Sequence, residues 1–263
     1  MDRRRRVTGR AARFDFDDVV YGIHAVAEAL AAGDSLRTIY VAADRKRDAP
    51  LRDLLARAEE LRVPVRFERR TFFADLPMRA HQGVVALAPP FSYASLGDVL
   101  NAPPRAAKRL YVLVDHLTDP HNIGAIVRTA DAAGVDAVIL PERRSGGINA
   151  TVRKAAAGAT AHVPIARVTN LADAVRTLKK SGIWVVGADS DAGATEMARA
   201  DFDRNLALTI GAEGSGLSPL VRRECDYLVR IPMYGAVASL NASVAAGVLL
   251  YEALRQRLPH GDS

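Results

Sequence analysis

The second half of the chain carries a series of short, nearly continuous apolar runs: RLYVLVD, DAVILP, AHVPIA, GIWVVGA, LALTIGA and DYLVRIP. Each is separated from the next by a helical or small-residue segment. A strand open to water on one side alternates apolar with polar residues, whereas a strand apolar along its whole length must be covered on both faces. Such strands, alternating with helices, predict an α/β fold with a parallel sheet. They also predict where chemistry belongs, because ligands of open α/β sheets bind beyond the carboxyl ends of the strands.

The front of the chain reads as a smaller alternating α/β unit. VVYGIHAVAEALAAG has apolar residues at helical spacing, SLRTIYVAA reads as a strand and APLRDLLARAEELR as a helix. VPVRFER and HQGVVALAPP read as strands around a short helical TFFADL. Residues 89–109 hold four of the thirteen prolines and a basic end, the pattern of a linker with one helical turn around Leu96 to Leu100. The expected organisation is a basic arm (1–15), a small domain (16–88), a linker (89–109), a larger sheet domain (110–257) and a tail (258–263). With 263 residues, 49% of them hydrophobic, both domains can bury a core.

No run of eighteen apolar residues occurs and no hydrophobic signal core follows the N-terminus, so a soluble cytoplasmic protein is expected. The single cysteine, Cys225, excludes an internal disulfide and a multi-cysteine zinc site, and reads as packing. The formal net charge is +6, and six arginines against Asp2 and Asp15 put +4 on residues 1–15. That arm suits a phosphate backbone; a solvated tail fits equally well.

Three segments beyond strand ends carry candidate chemistry: DHLTDPHNIGAIVRTADAAG, GAEGSGLSP and IPMYGAVASLNASVAAGVLLYEAL. Gly211, Gly214 and Gly216 allow close backbone approach, but their spacing is not G-x-G-x-x-G and they come after a late strand. This argues against a Rossmann domain and against methyltransferases whose glycine loop comes after the first strand. Asn122 reads as a helix cap with Gly124 in the first turn. Arg128, on an otherwise apolar helix, needs either an internal carboxylate such as Glu213 or Asp131 or an anionic ligand. His116 and His121, flanked by Asp115 and Asp119, sit five apart across a proline turn, which does not put two imidazoles on one helical face, so turn chemistry is expected and no metal. Ser239 and Asn241 stand at the mouth of the most hydrophobic helix, where either would serve as an N-cap.

Taken together, N-I-G-A-I-V-R, I-G-A-E-G-S-G-L and I-P-M-Y-G-A-V-A-S-L-N-A-S-V-A resemble the three ordered motifs of the SpoU/TrmH branch of the SPOUT RNA ribose 2'-O-methyltransferases, from Leu110 to Arg257. VVYGIHAVAEAL and RAHQGVVALA resemble the small L30e-like RNA-binding domain of its 23S rRNA guanosine 2'-O-methyltransferases. The resemblance implies a trefoil-knotted parallel-sheet catalytic domain, an exception to the rule against threaded chains. It implies S-adenosylmethionine bent in the knot against Gly211, Ile231, Met233 and Leu240. It also implies a homodimer with active sites at the subunit contact, where Ala245, Ala246 and Gly247 permit close helix approach.

By the same resemblance Arg128 is catalytic, surrounded by Asn122, Glu213, Ser239 and Asn241, and no metal is needed. Methyl transfer to a ribose oxygen demands alignment and desolvation above all. A guanidinium stays protonated in proteins, so Arg128 is expected to clamp a phosphate and stabilise a developing alkoxide. RNA recognition falls to the front domain and the arginine arm, with His24, His81 and Gln82 as candidates; His24 reads equally as a core histidine. The expected reaction is 2'-O-methylation of a guanosine in 23S rRNA. A thiostrepton-resistance-type adenosine methyltransferase, a tRNA ribose methyltransferase and a non-catalytic assembly factor are the alternatives. Tyr234 occupies a position that is small in several family members.

Overall fold

The computed structural model describes residues 19–31, 35–76, 78, 80–191 and 193–258, so the arginine arm and the tail from 259 onward lie outside the described residues. Two compact units divide the chain. The first runs to Ser92 and includes Ile148–Ala161; the second comprises Tyr93–Gly147 and the chain from His162 onward.

In the first unit, β1 (Val19–Tyr21), α1 (Ile23–Ala31), β2 (Thr38–Ala42), α2 (Ala49–Glu60), β3 (Val65–Glu68), α3 (Arg70–Ala74) and β4 (Val84–Leu87) succeed one another in chain order. Their sheet has the order β1-β4-β2-β3, in which β2 and β3 are parallel and β4 runs antiparallel to β1 and β2. The opening VVY is a strand rather than the start of a helix. All three residues are buried, and Gly22, at φ +92°, turns the chain so that the helical pattern begins only at Ile23. Asp48 caps α2 by accepting the Leu51 amide at 3.2 Å, and Val26, Leu30, Ile39, Leu51 and Leu54 fill the core.

The second unit contains α4 (Leu96–Asn101), β5 (Leu110–Val114), α5 (Pro120–Ala132), β6 (Ala137–Pro141), β7 (Ile165–Val168), α7 (Leu171–Lys180), β8 (Trp184–Ala188), β9 (Thr195–Glu196), β10 (Leu206–Ile210), α8 (Pro219–Glu224), β11 (Tyr227–Arg230) and α9 (Ala242–Arg257). A further helix, α6 (Ala150–Ala156), belongs to the first unit. The sheet order is β7-β6-β5-β10-β8-β11-β9, and every pairing is parallel. All five residues of β5, β6 and β10 are buried, as their unbroken apolar runs require. The proline-rich 89–109 segment is structured in part. Ala94 bridges Ala166 of β7, and α4, closed by a Ser95–Asp98 capping box, buries Val99 in the core of the second unit. No helix among the described residues is long and apolar enough to cross a membrane.

β10 lies between β5 and β8, with Leu206 opposite Leu110 and Ile210 opposite Val114. The Asp115 amide extends this ladder to the Ile210 carbonyl at 2.8 Å, so the chains leaving β5 and β10 depart side by side.

Candidate active site

The turn after β5 is fixed first by Asp119, which caps α5 through the His121 amide at 3.0 Å, with Pro120 in the first turn. Asn122 is therefore not the cap its sequence position suggests, and its side chain is free for another use. It is 8% exposed and donates through Nδ2 to Glu213 Oε1 at 2.8 Å.

The turn after β10 brings Glu213 there. Ala212 and Gly216 exchange backbone hydrogen bonds of 3.1 and 2.9 Å, folding the chain tightly back on itself. A Cβ at Gly211 would stand 2.2 Å from the Gly216 carbonyl carbon and 2.5 Å from the Leu217 nitrogen, so no side chain fits at that position. Asp115, which sequence spacing offered only as a neighbour of His116, anchors this turn: its fully buried carboxylate accepts the Ser218 amide at 2.7 Å and also meets His116 Nδ1. The signal available in the sequence was an aspartate at the carboxyl end of a central parallel strand.

The loop after β11 supplies the third member. Asn241, and not Ser239, is the N-cap of α9: its Oδ1 accepts the amides of Ser243 and Val244 at 2.9 and 3.3 Å and the Ser243 hydroxyl at 2.7 Å. Capping with the oxygen turns the amide nitrogen inward, where Nδ2 donates to Asn122 Oδ1 at 2.9 Å and to Glu213 Oε1 at 2.5 Å. Asn122, Glu213 and Asn241 thus form a closed hydrogen-bonded ring, one residue from each of the three loops.

Beside the ring, a cavity of about 650 Å³ is lined by Gly211, Glu213, Ile231, Met233, Ser239 and Leu240 among others. Sequence reasoning missed its far wall, where Arg222 binds Asp189 at 2.6 Å and Asp191 at 3.0 Å. Burial opposes the charge on Asp189, yet the Arg222 hydrogen bond and the Asp191 amide outweigh it and hold the carboxyl below its ordinary range. Cys225 lies nearby as packing: burial pushes its thiol up to about 12, and it donates to the Val221 carbonyl at 3.3 Å.

Arg128 stands apart. Six residues beyond Asn122 it faces about 240° around α5, exposed, outside the cavity lining and with no hydrogen-bond or ion-pair partner among the described residues. The internal pairs with Glu213 or Asp131 do not form; Asp131 lies 3.7 Å from Arg105 instead. Around it, α5 packs against α9, whose Val244 and Tyr251 are 50% and 54% exposed. Tyr234, in the loop that leads to Ser239, is 96% exposed.

In the first unit, His24 is exposed, which overturns its reading as a core histidine. Gln82 Oε1 accepts the Ile23 amide at 3.3 Å, and His81 Nδ1 accepts the Gly83 amide at 2.9 Å. Burial and the Lys154 charge lower the His81 pKa, which favours the neutral ring. No group of three His, Cys, Asp or Glu side chains able to hold a metal occurs among the described residues.

The cavity and the polar ring lie beyond the carboxyl edge of a parallel sheet, the place where α/β proteins bind small-molecule ligands. The profile of the SpoU rRNA Methylase family matches residues 109–251, and that of the RNA 2'-O ribose methyltransferase substrate-binding domain matches residues 19–94. A TrmH family tRNA/rRNA methyltransferase of Staphylococcus haemolyticus is 43% identical over 94% of this chain and 99% of its own. The YacO protein of Bacillus subtilis, with the same family name, is 40% identical over 93% and 98%. The SpoU methyltransferase AviRb of Streptomyces viridochromogenes, solved with AdoMet, superposes with a TM-score of 0.77 at 30% identity, covering 96% of this chain and 95% of AviRb. An AdoMet-bound rRNA methyltransferase of Sinorhizobium meliloti gives 0.74 at 28%, covering 91% and 87%. The chain belongs to the SpoU/TrmH family and is an S-adenosylmethionine-dependent RNA methyltransferase.

Proposed function

We propose that the protein methylates the 2'-hydroxyl of a guanosine in 23S rRNA, using S-adenosylmethionine held between the Gly211 turn and the Ile231–Leu240 loop. The observation that carries this reading is the convergence of Asn122, Glu213 and Asn241 beside a cavity walled by Gly211, Ile231, Met233 and Leu240. The cavity fits the donor: the absent side chain at Gly211 leaves backbone to line it, and apolar residues face backbone and polar groups across it. Bound there, the donor supplies a methyl group on a positively charged sulfur.

The chain's own residues align and desolvate the acceptor. The ring locks the three loops into one register, and Ser239, at the cavity rim, hydrogen-bonds the 2'-hydroxyl. Arg128 clamps the neighbouring phosphate and stabilises the developing alkoxide without taking the proton, since a guanidinium stays protonated; as the methyl leaves the sulfur for the oxygen, the hydroxyl proton passes to solvent. It does so in a homodimer built on the α5–α9 face, where Val244 and Tyr251 are open to a partner and Gly247 permits close approach. Residues 16–88 and the arginine arm bind the RNA in the cytoplasm, and 110–257 form the catalytic domain.

Mapping 2'-O-methyl positions in 23S rRNA and tRNA from a strain lacking the gene tests the substrate. Loss of one guanosine methylation in 23S rRNA is expected. Loss of an adenosine methylation there, or of a tRNA methylation alone, overturns the assignment.

A further inference from the structure

In the second unit, Arg105, Arg176, Arg204, Arg222, Arg230 and Arg255 each pair with a carboxylate. Arg128, Arg143, Arg144, Arg199 and Arg223 are exposed and have no hydrogen-bond or ion-pair partner among the described residues, and of these only Arg143 and Arg144 are adjacent, in the loop after β6. Glu142, the carboxylate beside them, pairs with neither.

This loop is seated against the catalytic turn. The Gly146 amide donates to the Leu117 carbonyl at 3.2 Å, and a Cβ at Gly146 would stand 2.8 Å from the Thr118 carbonyl oxygen and 3.2 Å from Ile123 Cδ1. A side chain at Gly146 would therefore push the loop off the start of α5. The loop's base is tied to the neighbouring strand, where the Glu142 amide donates to the Val168 carbonyl at 2.8 Å and Arg167 Nη2 donates to the Glu142 carbonyl at 3.3 Å. Arg144 sits at φ +59°, a left-handed conformation that a non-glycine residue holds only where its surroundings impose it. One residue, Ser145, separates it from Gly146, so the Arg144 backbone lies within about 7 Å of the point where the loop meets the start of α5.

Sheet order decides what these arginines serve. The cavity lies on the β10-β8-β11 side of β5, whereas β6 lies on the other. Neither arginine lines the cavity, so neither is placed for the methyl donor. The loop after β6 therefore flanks the end of β5 on the side away from the cavity. We infer that Arg143 and Arg144 form a clamp for the RNA phosphates next to the methylated ribose, a substrate-positioning pair separate from the front domain. The inference rests on the ring and cavity being the site of RNA methylation. Guanidinium suits the task, since it offers phosphate two parallel donors and stays charged.

The test compares Arg143→Ala/Arg144→Ala with Lys180→Ala/Arg199→Ala, which removes the same charge from the C-terminus of α7 and from beyond the opposite sheet edge at β9. Filter binding of a 23S rRNA transcript is read across a salt series, and transfer of labelled methyl to that transcript and to tRNA is read at steady state. For the first variant, a KM for the accepted RNA about tenfold higher is expected, with kcat within about twofold and donor affinity by calorimetry unchanged. The slope of log K against log salt becomes shallower by roughly 1 to 2, as for one or two lost phosphate contacts. Arg143→Lys/Arg144→Lys restores the slope. A wild-type KM and slope in the alanine variant overturn the clamp, as does an equal effect from the Lys180/Arg199 pair. Methylation of tRNA alone by the wild type sinks the rRNA assignment but leaves the clamp standing if the variant raises KM for tRNA. Should neither RNA accept a methyl group, the salt slope still decides.

Discussion

Asn122 and Arg128 stand on one helix and meet opposite fates. Asn122 finds both its partners within the chain and closes a ring; Arg128, about two turns on, finds none among the described residues. A polar group satisfied internally reports how the fold is held together. A charge kept in place without a partner reports what the fold is prepared to meet. Arg128 on α5 and the arginine pair in the β6 loop, unpaired among the described residues, are the positions where the proposed RNA contacts can be tested.

The largest expected effect strikes the unpaired member. Arg128→Ala lowers single-turnover methyl transfer by about 10²–10³, and Arg128→Lys fails nearly as badly because a point charge does not replace a planar fork; donor affinity stays unchanged. Near-wild-type turnover in the lysine variant would dissolve the contrast. Next comes Gly211→Ala, whose methyl group overlaps the Gly216–Leu217 backbone. It costs about 1–3 kcal/mol in denaturant unfolding and weakens donor binding in calorimetry. Asn241→Ala ranks third, at about 1 kcal/mol for the lost cap; Asn241→Ser restores the cap and the stability but not the turnover, because the inward amide is gone. The smallest effect is none at all. With its thiol pushed up to about 12, Cys225 stays neutral at pH 8 and resists iodoacetamide in the native enzyme, reacting only once denaturant unfolds the chain.

Much of this is legible in the amino-acid order alone. The six apolar runs become six parallel strands, and the three buried throughout, β5, β6 and β10, show the pattern most plainly because a strand covered on both faces has no polar positions to confuse it. Val19–Tyr21 is hidden because three strand residues abut a helix of similar composition, and two-residue β9 is too short to carry a period. The pairing of Ile148–Ala161 with the first unit is a tertiary fact that no local pattern encodes. In the site, the three loops reveal themselves through the residues just beyond the carboxyl end of each strand. Asn122 reads as a cap although Asp119-Pro120 already spells the stronger start signal. Asp189 and Arg222 escape notice because they meet only in the fold, thirty-three residues apart.

The seat of β10 has a consequence for how the molecule comes into being. Residues 110–188 emerge as strands whose two central edges, on β5 and β8, have open backbone groups until Leu206–Ile210 slots between them. A nascent chain stopped short of that insert would display two sticky borders and lack the Ile210–Gly211 wall of the cavity. Synthesis must therefore pass Ile210 before the sheet is safe from aggregation.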